Sequence, residues 1–421
     1  MKEYRCLICN ATVNEEDVSD HKQTLHPELR HYGLMWPLVV SQNEKRDLWK
    51  TPIHESAVIA ELLGVRKVYL KDEGMNFSGS MKDYSVERAI HLGKQAGHRS
   101  FFVVSSGNHA VSLAKYAAKH NVHAIVFTPA SSSKIGMLSR APNVYVVGVK
   151  DAIFEDVYVL VAGMKFGEYY NANVSNELLL AGFSSVAEDI ERLDPLPTHI
   201  LAGVGNGSYL AGIVLAWQKP IMPKIIPVGM AGAFPTEAAF RERGYLREYD
   251  DFQVAEQLID AAEGSIAIAS YSMPQLMHAV YRSKGFPLGG ILNEDLGRAY
   301  GLVMADEQLA ESGSIPEPTG IMGLAAALKH RNRFTSEDVL LIAFTGHGVK
   351  DPWGIRRVAN PGDAEKLVKA AFSARPDLLL SEECEADLEK VLYVAKDIAP
   401  EELERMITTC IRQKGGRQDE F

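Results

Sequence analysis

Cysteine is scarce in this chain, with four in 421 residues. That is too few for a disulfide framework and excludes a small stapled secreted scaffold. Positive charge is short as well: the formal net charge is −10 and no basic run stands out, which argues against a general nucleic-acid surface. No long apolar run is unbroken. The most apolar stretch, 200–217, is interrupted by Gly203, Gly205, Asn206, Gly207 and Ser208, so it does not read as a membrane span. The opening Met1-Lys2-Glu3-Tyr4-Arg5-Cys6 has no apolar signal-peptide core, and a reducing cytoplasm is the expected compartment. Repeats of fixed period and low-complexity segments are missing too.

What is present is an ordinary globular composition, 46% hydrophobic and 23% charged, able to bury a large core over roughly two to three domains. Between about residues 50 and 350, short Val/Ile-rich runs alternate with helical patterns. That alternation predicts an α/β fold, a parallel sheet with helices on its faces. Strands are expected at 67–70, 101–104, 124–127, 144–147, 199–202, 225–228 and 339–344, and helices at 83–95, 110–120, 153–166, 209–217 and 321–330. The tail after about residue 360 reads as charged and helical, at 364–372, 385–393 and 401–412. It reads as an appended cap or dimer element without chemistry of its own.

The most informative stretch is Lys71-Asp72-Glu73-Gly74-Met75-Asn76-Phe77-Ser78-Gly79-Ser80-Met81-Lys82-Asp83. Strand-like Val68-Tyr69-Leu70 feeds a small-residue turn, and Lys82 falls on the first turn of the following helix. The positive end of the helix dipole favours a neutral amine there, which Schiff-base chemistry with an aldehyde cofactor requires. Taken alone, a lysine at a helix start is more often simply solvated. Further loops of similar make follow other strands. Gly203-Val204-Gly205-Asn206-Gly207-Ser208-Tyr209 opens a helix with backbone N–H groups free of side-chain bulk, an anion cradle. It is neither the dinucleotide fingerprint nor the Walker loop. Ser105-Ser106-Gly107-Asn108-His109 joins a strand to a helix and can hold a carboxylate through its amides; as pure structure it is a turn with an N-cap. Thr345-Gly346-His347-Gly348-Val349-Lys350-Asp351 ends the last core strand, and Ile315-Pro316-Glu317-Pro318-Thr319-Gly320 precedes the helix expected at 321–330.

Together these segments resemble the threonine synthases, fold-type-II pyridoxal-phosphate enzymes of the tryptophan synthase beta superfamily. The lysine stretch is similar to their Asn-Pro-Thr-Gly-Ser-Phe-Lys-Asp, and Thr345 to Asp351 to their Thr-Gly-His-Gly-Leu-Lys-Asp. Residues 205–209 resemble Gly-Asn-x-Gly-Asn, with Ser208 for Gly and Tyr209 for Asn. Ser105 to His109 is closer to the serine and threonine dehydratases, and Trp49-Lys50-Thr51-Pro52-Ile53 resembles the family's Thr-Pro-Leu turn. The likeness spans about residues 49 to 352. It implies two three-layer parallel-sheet subdomains in 31–360, the smaller and mobile one at about 95–195; outside it, the residues themselves read as a zinc-finger-like module at 1–30 and a helical extension at 361–421. It implies Lys82 as the anchor of pyridoxal 5'-phosphate and the catalytic base. Asn108 would meet the phenolic oxygen, Gly205, Asn206, Gly207, Ser208 and Tyr209 the phosphate, and Thr345 the ring nitrogen. Ser105, Ser106, Gly107, Asn108 and His109 would hold an L-amino-acid substrate, and a homodimer is implied.

One segment departs from the family. Where threonine synthases carry Asn-Ser-x-Asn-Pro-x-Arg for the substrate phosphate, this chain has Asn173-Val174-Ser175-Asn176-Glu177-Leu178-Leu179. Loss of the arginine removes a charge-assisted contact of about 1.5–3 kcal/mol and leaves a more apolar pocket, with Lys134 or Arg140 as the cations within reach. The expected activity is therefore a lyase or synthase eliminating or replacing a β or γ substituent, on a substrate other than, or broader than, phosphohomoserine. A serine/threonine ammonia-lyase or β-replacement synthase is the alternative, and a catalytically retired ligand-binding or regulatory protein a second.

At the amino terminus, Cys6, Cys9, His21 and His26, with Tyr4, Val13 and Val18 between and before them, match a two-cysteine, two-histidine zinc finger one residue short between its apolar pair. Four protein ligands close the site, so the zinc would be structural and supply on the order of 10–16 kcal/mol of folding energy. A metal-free module is the alternative. Nucleic acid is a poor fit, with Glu15, Glu16 and Asp17 at the helix start.

Overall fold

The computed structural model describes residues 3–38, 50–132, 134–162, 164, 167–244, 262–265, 270–378 and 387–414. The chain divides into two compact units, one of Met1–Ser85 with Val174–Leu379, the other of Val86–Asn173 with Leu380–Phe421. Among the described residues no helix is long and apolar enough to cross a membrane.

The first unit begins with a small antiparallel sheet in the order β2 (Thr12–Asn14), β1 (Glu3–Cys6), β3 (Met35–Pro37). Helix Val18–Leu25 packs on it. Tyr4, Cys6, Val13, Val18 and Met35 form its own cluster, to which β3 contributes Met35, while Leu7 and Trp36 join the larger core. Beyond it lies a six-stranded sheet. It is built from β4 (Ile53–Glu55), β5 (Lys67–Asp72), β10 (His199–Gly203), β11 (Lys224–Met230), β12 (Leu288–Ile291) and β13 (Val339–Phe344). The order is β12-β11-β10-β13-β5-β4, parallel throughout except for the antiparallel edge strand β4. β13 explains the layering. Its side chains alternate, with Leu340, Ile342 and Phe344 in one core and Val339, Leu341 and Ala343 in the other. A strand apolar on both faces must be covered on both, and helix Pro318–Lys329 covers one side while Ser208–Ala216 covers the other.

The second unit holds β6 (Ser100–Val104), β7 (His123–Pro129), β8 (Val144–Lys150), β9 (Tyr169–Asn171) and β14 (Val391–Ala395). They form a parallel five-stranded sheet in the order β14-β8-β7-β6-β9. Here one expectation is corrected. The helix expected at 385–393 is a 3-10 turn, Leu388–Lys390, followed by strand β14; residues 385 and 386 lie outside the described residues. Val391, Leu392, Tyr393 and Val394 suit a strand, and the open edge of β8 supplies the pairing that decides it. Gly148 on β8 leaves room for the Tyr393 ring, which a methyl group there would approach to 2.8 Å. The helix expected at 153–166 runs Phe154–Ala162, and residues 163, 165 and 166, like Trp49, lie outside the described residues.

Candidate active site

In the first unit three loops leave the carboxyl ends of neighbouring strands β5, β13 and β10, the usual place for ligands in an open α/β sheet. After β5 comes the lysine loop. Gly79 adopts φ +78, a left-handed turn that glycine takes without strain. Asp83 fastens the turn by accepting from the Ser78 amide at 2.7 Å and from the Ser78 hydroxyl. From the far end of the unit, Arg375 clamps the same loop, donating to the carbonyls of Gly74 at 2.8 Å, Asn76 at 2.9 Å and Phe77 at 3.3 Å. Lys82 is then the first residue of helix Lys82–Gln95.

Burial draws the pKa of Lys82 from the ordinary 10.5 down to about 8, while the Glu317 carboxylate pulls the other way. The shift toward the neutral amine has removal of the amine from water as its first cause. After β13, the Met81 amide donates to the Thr345 carbonyl at 3.0 Å and the His347 amide to the Gly79 carbonyl at 2.9 Å. Thr345 is thus stitched to the residue before the lysine. His347 is buried with its pKa pushed down to about 4. Its Nδ1 accepts from the Val349 amide and its Nε2 donates to the Gly313 carbonyl, so it is a neutral brace.

The glycine loop follows β10. A methyl group on Gly203 would lie 2.6 Å from the Thr319 carbonyl oxygen, and one on Gly205 2.9 Å from that of Gly264. Gly207 sits at φ +82 as the cap of helix Ser208–Ala216, which has no acid in its first turn. Glu317, whose amide donates to the Gly346 carbonyl at 2.9 Å, ties the Thr345 loop to the helix opening at Pro318. Lys82, Thr345, Gly205, Asn206, Gly207 and Ser208 therefore lie on adjoining loops of one sheet edge.

Tyr209 follows on the same helix start, and its side chain has a partner of its own. Its hydroxyl donates to Glu73 at 2.8 Å, in a buried set where Thr51 (3.0 Å), Asn76 (2.8 Å) and Tyr84 (2.9 Å) donate to the same carboxylate. Burial and then the Glu73 charge hold both tyrosines well above 10, so they act as neutral donors. Glu73 and Arg375 are supports that sequence reasoning missed. An acid inside a strand-to-helix loop was the available signal for Glu73; nothing near Arg375 in the chain signals its role.

In the second unit, Ser105 to His109 lies at the carboxyl end of β6. The Ser105 hydroxyl accepts from the Gly107 amide at 3.1 Å, and Asn108 begins helix Asn108–His120. A methyl group on Gly107 would find only the Lys134 amine, at 4.0 Å. His109 is buried and its Nε2 donates to the Ala172 carbonyl at 2.7 Å, so its ring faces the packing of its own unit. Asn173 Oδ1 accepts from the Val104 amide at 2.7 Å.

Cys6, Cys9, His21 and His26 do come together, their four ligand atoms within 4.8 Å of one another. Cys6 Sγ to His26 Nε2 and Cys9 Sγ to His21 Nε2 both measure 3.5 Å. A tetrahedral ion with bonds of about 2.3 Å to sulfur and about 2.0–2.1 Å to nitrogen sets S···N edges of roughly that length.

Comparison with known proteins bears on the loops. Residues 45–346 match the family model described as pyridoxal-phosphate dependent enzyme. The threonine synthase of Methanocaldococcus jannaschii is 26% identical over 72% of this chain and 75% of its own length. That of Synechocystis is 24% identical over 72% and 77%. Among solved structures, the L-serine ammonia-lyase of Rhizomucor miehei superposes with a TM-score of 0.59 at 18% identity, covering 71% of this chain and 94% of the other. Threonine deaminase isoform 2 of Solanum lycopersicum gives 0.59 at 18%, covering 77% and 88%. These structures share the fold, and with the family match over most of the length the conclusion is direct: the chain belongs to the pyridoxal-phosphate dependent enzymes.

Proposed function

We propose that the chain is a lyase or synthase of threonine-synthase type that eliminates or replaces a β or γ substituent of an L-amino acid. The observation that carries this reading is the Lys82 amine, drawn to a pKa of about 8 by burial on a loop bonded to the Thr345 peptide. The residues present fit pyridoxal phosphate. Gly205 has no room for a side chain, and Gly207 caps a nine-residue helix whose free N–H groups suit a phosphate. Lys82 would hold the cofactor's aldehyde carbon, and Gly205, Asn206, Gly207 and Ser208 its phosphate. Asn108 would meet its phenolic oxygen and Thr345 its ring nitrogen.

When bound, the cofactor supplies a sink for electrons from the substrate's α carbon. The chain's own part is positional and acid–base. At neutral pH an amine of pKa about 8 is neutral in about one copy in ten, against about one in three thousand for an ordinary lysine, and the neutral form can take the α proton. Thr345 would offer the ring nitrogen a hydroxyl in place of an acid, which would leave that nitrogen unprotonated. The amides of the turn from Ser105 to Asn108 hold the substrate carboxylate.

The substrate is read from 173–179. Leu179 is buried and Glu177 is paired with Lys22 at 2.6 Å, so this segment carries no cation for a substrate phosphate. That favours amino acids other than phosphohomoserine. The second reading, a serine/threonine ammonia-lyase, is favoured by the dehydratase-like Ser105 to His109 loop. The Cys6, Cys9, His21 and His26 set is assigned to structural zinc, and a cytoplasmic homodimer completes the proposal.

The purified protein should show a visible absorption band that borohydride bleaches and Lys82→Ala lacks; a colourless protein that takes up no cofactor refutes the reading. Phosphate release from phosphohomoserine, set against ammonia or keto-acid release from serine and threonine, separates the two reactions. Equal metal content in Cys6→Ser and the parent would remove the zinc.

A further inference from the structure

The amino-terminal module grips two segments that matter to the proposed chemistry, through contacts within the first unit. Helix Val18–Leu25 carries His21 and, next to it, Lys22. The Lys22 ammonium meets Glu177 at 2.6 Å with both side chains buried, and the Leu34 amide donates to the same carboxylate oxygen at 3.1 Å. Leu178 packs against the module's core. Glu177 and Leu178 lie inside the segment where this chain leaves the threonine-synthase pattern.

The second grip reaches the glycine loop through one residue. The Gly33 amide donates to the Tyr271 carbonyl at 2.6 Å, and the Tyr271 amide donates to Asn206 Oδ1 at 2.8 Å. Ser270 adds a hydroxyl to the Asn206 carbonyl at 3.1 Å. Gln275, four residues on, donates to the Met35 carbonyl at 2.8 Å. The module that makes these contacts has a cluster of its own of five buried side chains, while its Leu7 and Trp36 join the larger core of the first unit. So small a cluster is not self-sufficient without a staple or a metal.

We propose that metal at Cys6, Cys9, His21 and His26 is coupled to the cofactor: the metal-ordered module, through Gly33–Tyr271–Asn206 and Lys22–Glu177, holds the phosphate loop and the 174–179 segment in their binding form. The proposal rests on reading 205–208 as the phosphate loop and the quartet as a zinc site. Glu177 and Asn206 are positioning residues for it, acting through the segments they anchor. Linkage is reciprocal, so pyridoxal phosphate must tighten zinc by the same factor by which zinc tightens pyridoxal phosphate.

The test uses the full-length protein with zinc and after chelation. Three quantities are read: the pyridoxal phosphate Kd, zinc affinity with and without pyridoxal phosphate, and amide hydrogen exchange at 204–208 and 174–179, with strand β7 (His123–Pro129) as control. Chelation should raise the pyridoxal phosphate Kd about tenfold, with the zinc Kd shifted by the same factor, and loosen both segments while β7 holds. Lys22→Met with Glu177→Met keeps the zinc ligands and leaves no buried charge unpaired; it should bind zinc like the parent yet exchange faster at 174–179. An unchanged cofactor Kd and unchanged exchange after chelation overturn the coupling while leaving the zinc site standing. A parent that binds no zinc overturns both. Acceleration in β7 together with the rest means global unfolding and overturns the specific coupling. A parent that binds zinc but no pyridoxal phosphate sinks the proposed function instead.

Discussion

Replacing Lys82 should stabilise the cofactor-free protein. Lys82→Met keeps the length of the side chain and removes its amine. The folded chain holds that amine at a pKa of about 8 against an ordinary 10.5, so the unfolded chain binds the proton more tightly. The difference, at about 1.36 kcal/mol per pH unit, is ~3 kcal/mol. The sign follows. Below pH 8 the folded protein bears the full cost of a charged, desolvated amine. As pH rises from 8 to 10.5 the cost fades, and above that it is gone. Urea unfolding of cofactor-free parent and variant should therefore show the variant ahead by up to ~3 kcal/mol at pH 7, with the gap closing through that window. Glu317 opposes the shift, so Glu317→Gln should widen the gap at pH 7. A gap of equal size at pH 7 and pH 10.5 would refute desolvation as the cause. In the loaded protein the ordering should reverse, because the variant has lost the proposed anchor.

The remaining expectations follow the same logic. Burial raises Asp72 from 3.8 to about 6, and Ser314 and the Gly74 amide only partly offset it; since the unfolded carboxyl ionises first, stability falls between about pH 4 and 6. Asp72→Asn should be more stable than the parent at pH 7, by up to ~3 kcal/mol, and no more stable at pH 4, by thermal unfolding at both. Gly207→Ala meets φ +82 and a Leu276 methyl at 2.5 Å; it should cost at least ~1–2 kcal/mol from the backbone and weaken pyridoxal phosphate retention, read by dialysis. Lys22→Ala alone should cost ~3–5 kcal/mol in urea unfolding by stranding Glu177, whereas the double replacement by Met should cost less, about 1–3 kcal/mol, because only the Leu34 amide then lacks its acceptor.

Much of this protein was legible in the chain itself. Runs such as Val339-Leu340-Leu341-Ile342-Ala343-Phe344 are apolar without alternation, and only a strand covered on both faces accommodates that. Small-residue loops after such runs marked the sheet edge that carries Lys82, Gly205 and Thr345. These signals are local: a strand, a turn and a helix start each declare themselves within about ten residues.

The rest depended on distance through space. Arg375 reaches the carbonyls of Gly74, Asn76 and Phe77 from some 300 residues away in the chain, and no pattern around it shows this. Tyr209 was legible as part of the glycine loop, while only tertiary packing joins its hydroxyl to Glu73. The lysine's position came from the sequence, whereas its lowered pKa came chiefly from exclusion of water, which only the assembled fold can impose. Strand β14 formed in place of a helix because β8 offered an open edge. Periodicity is a property of neighbours along the chain, while desolvation, charge pairing and strand partnership belong to neighbours in space.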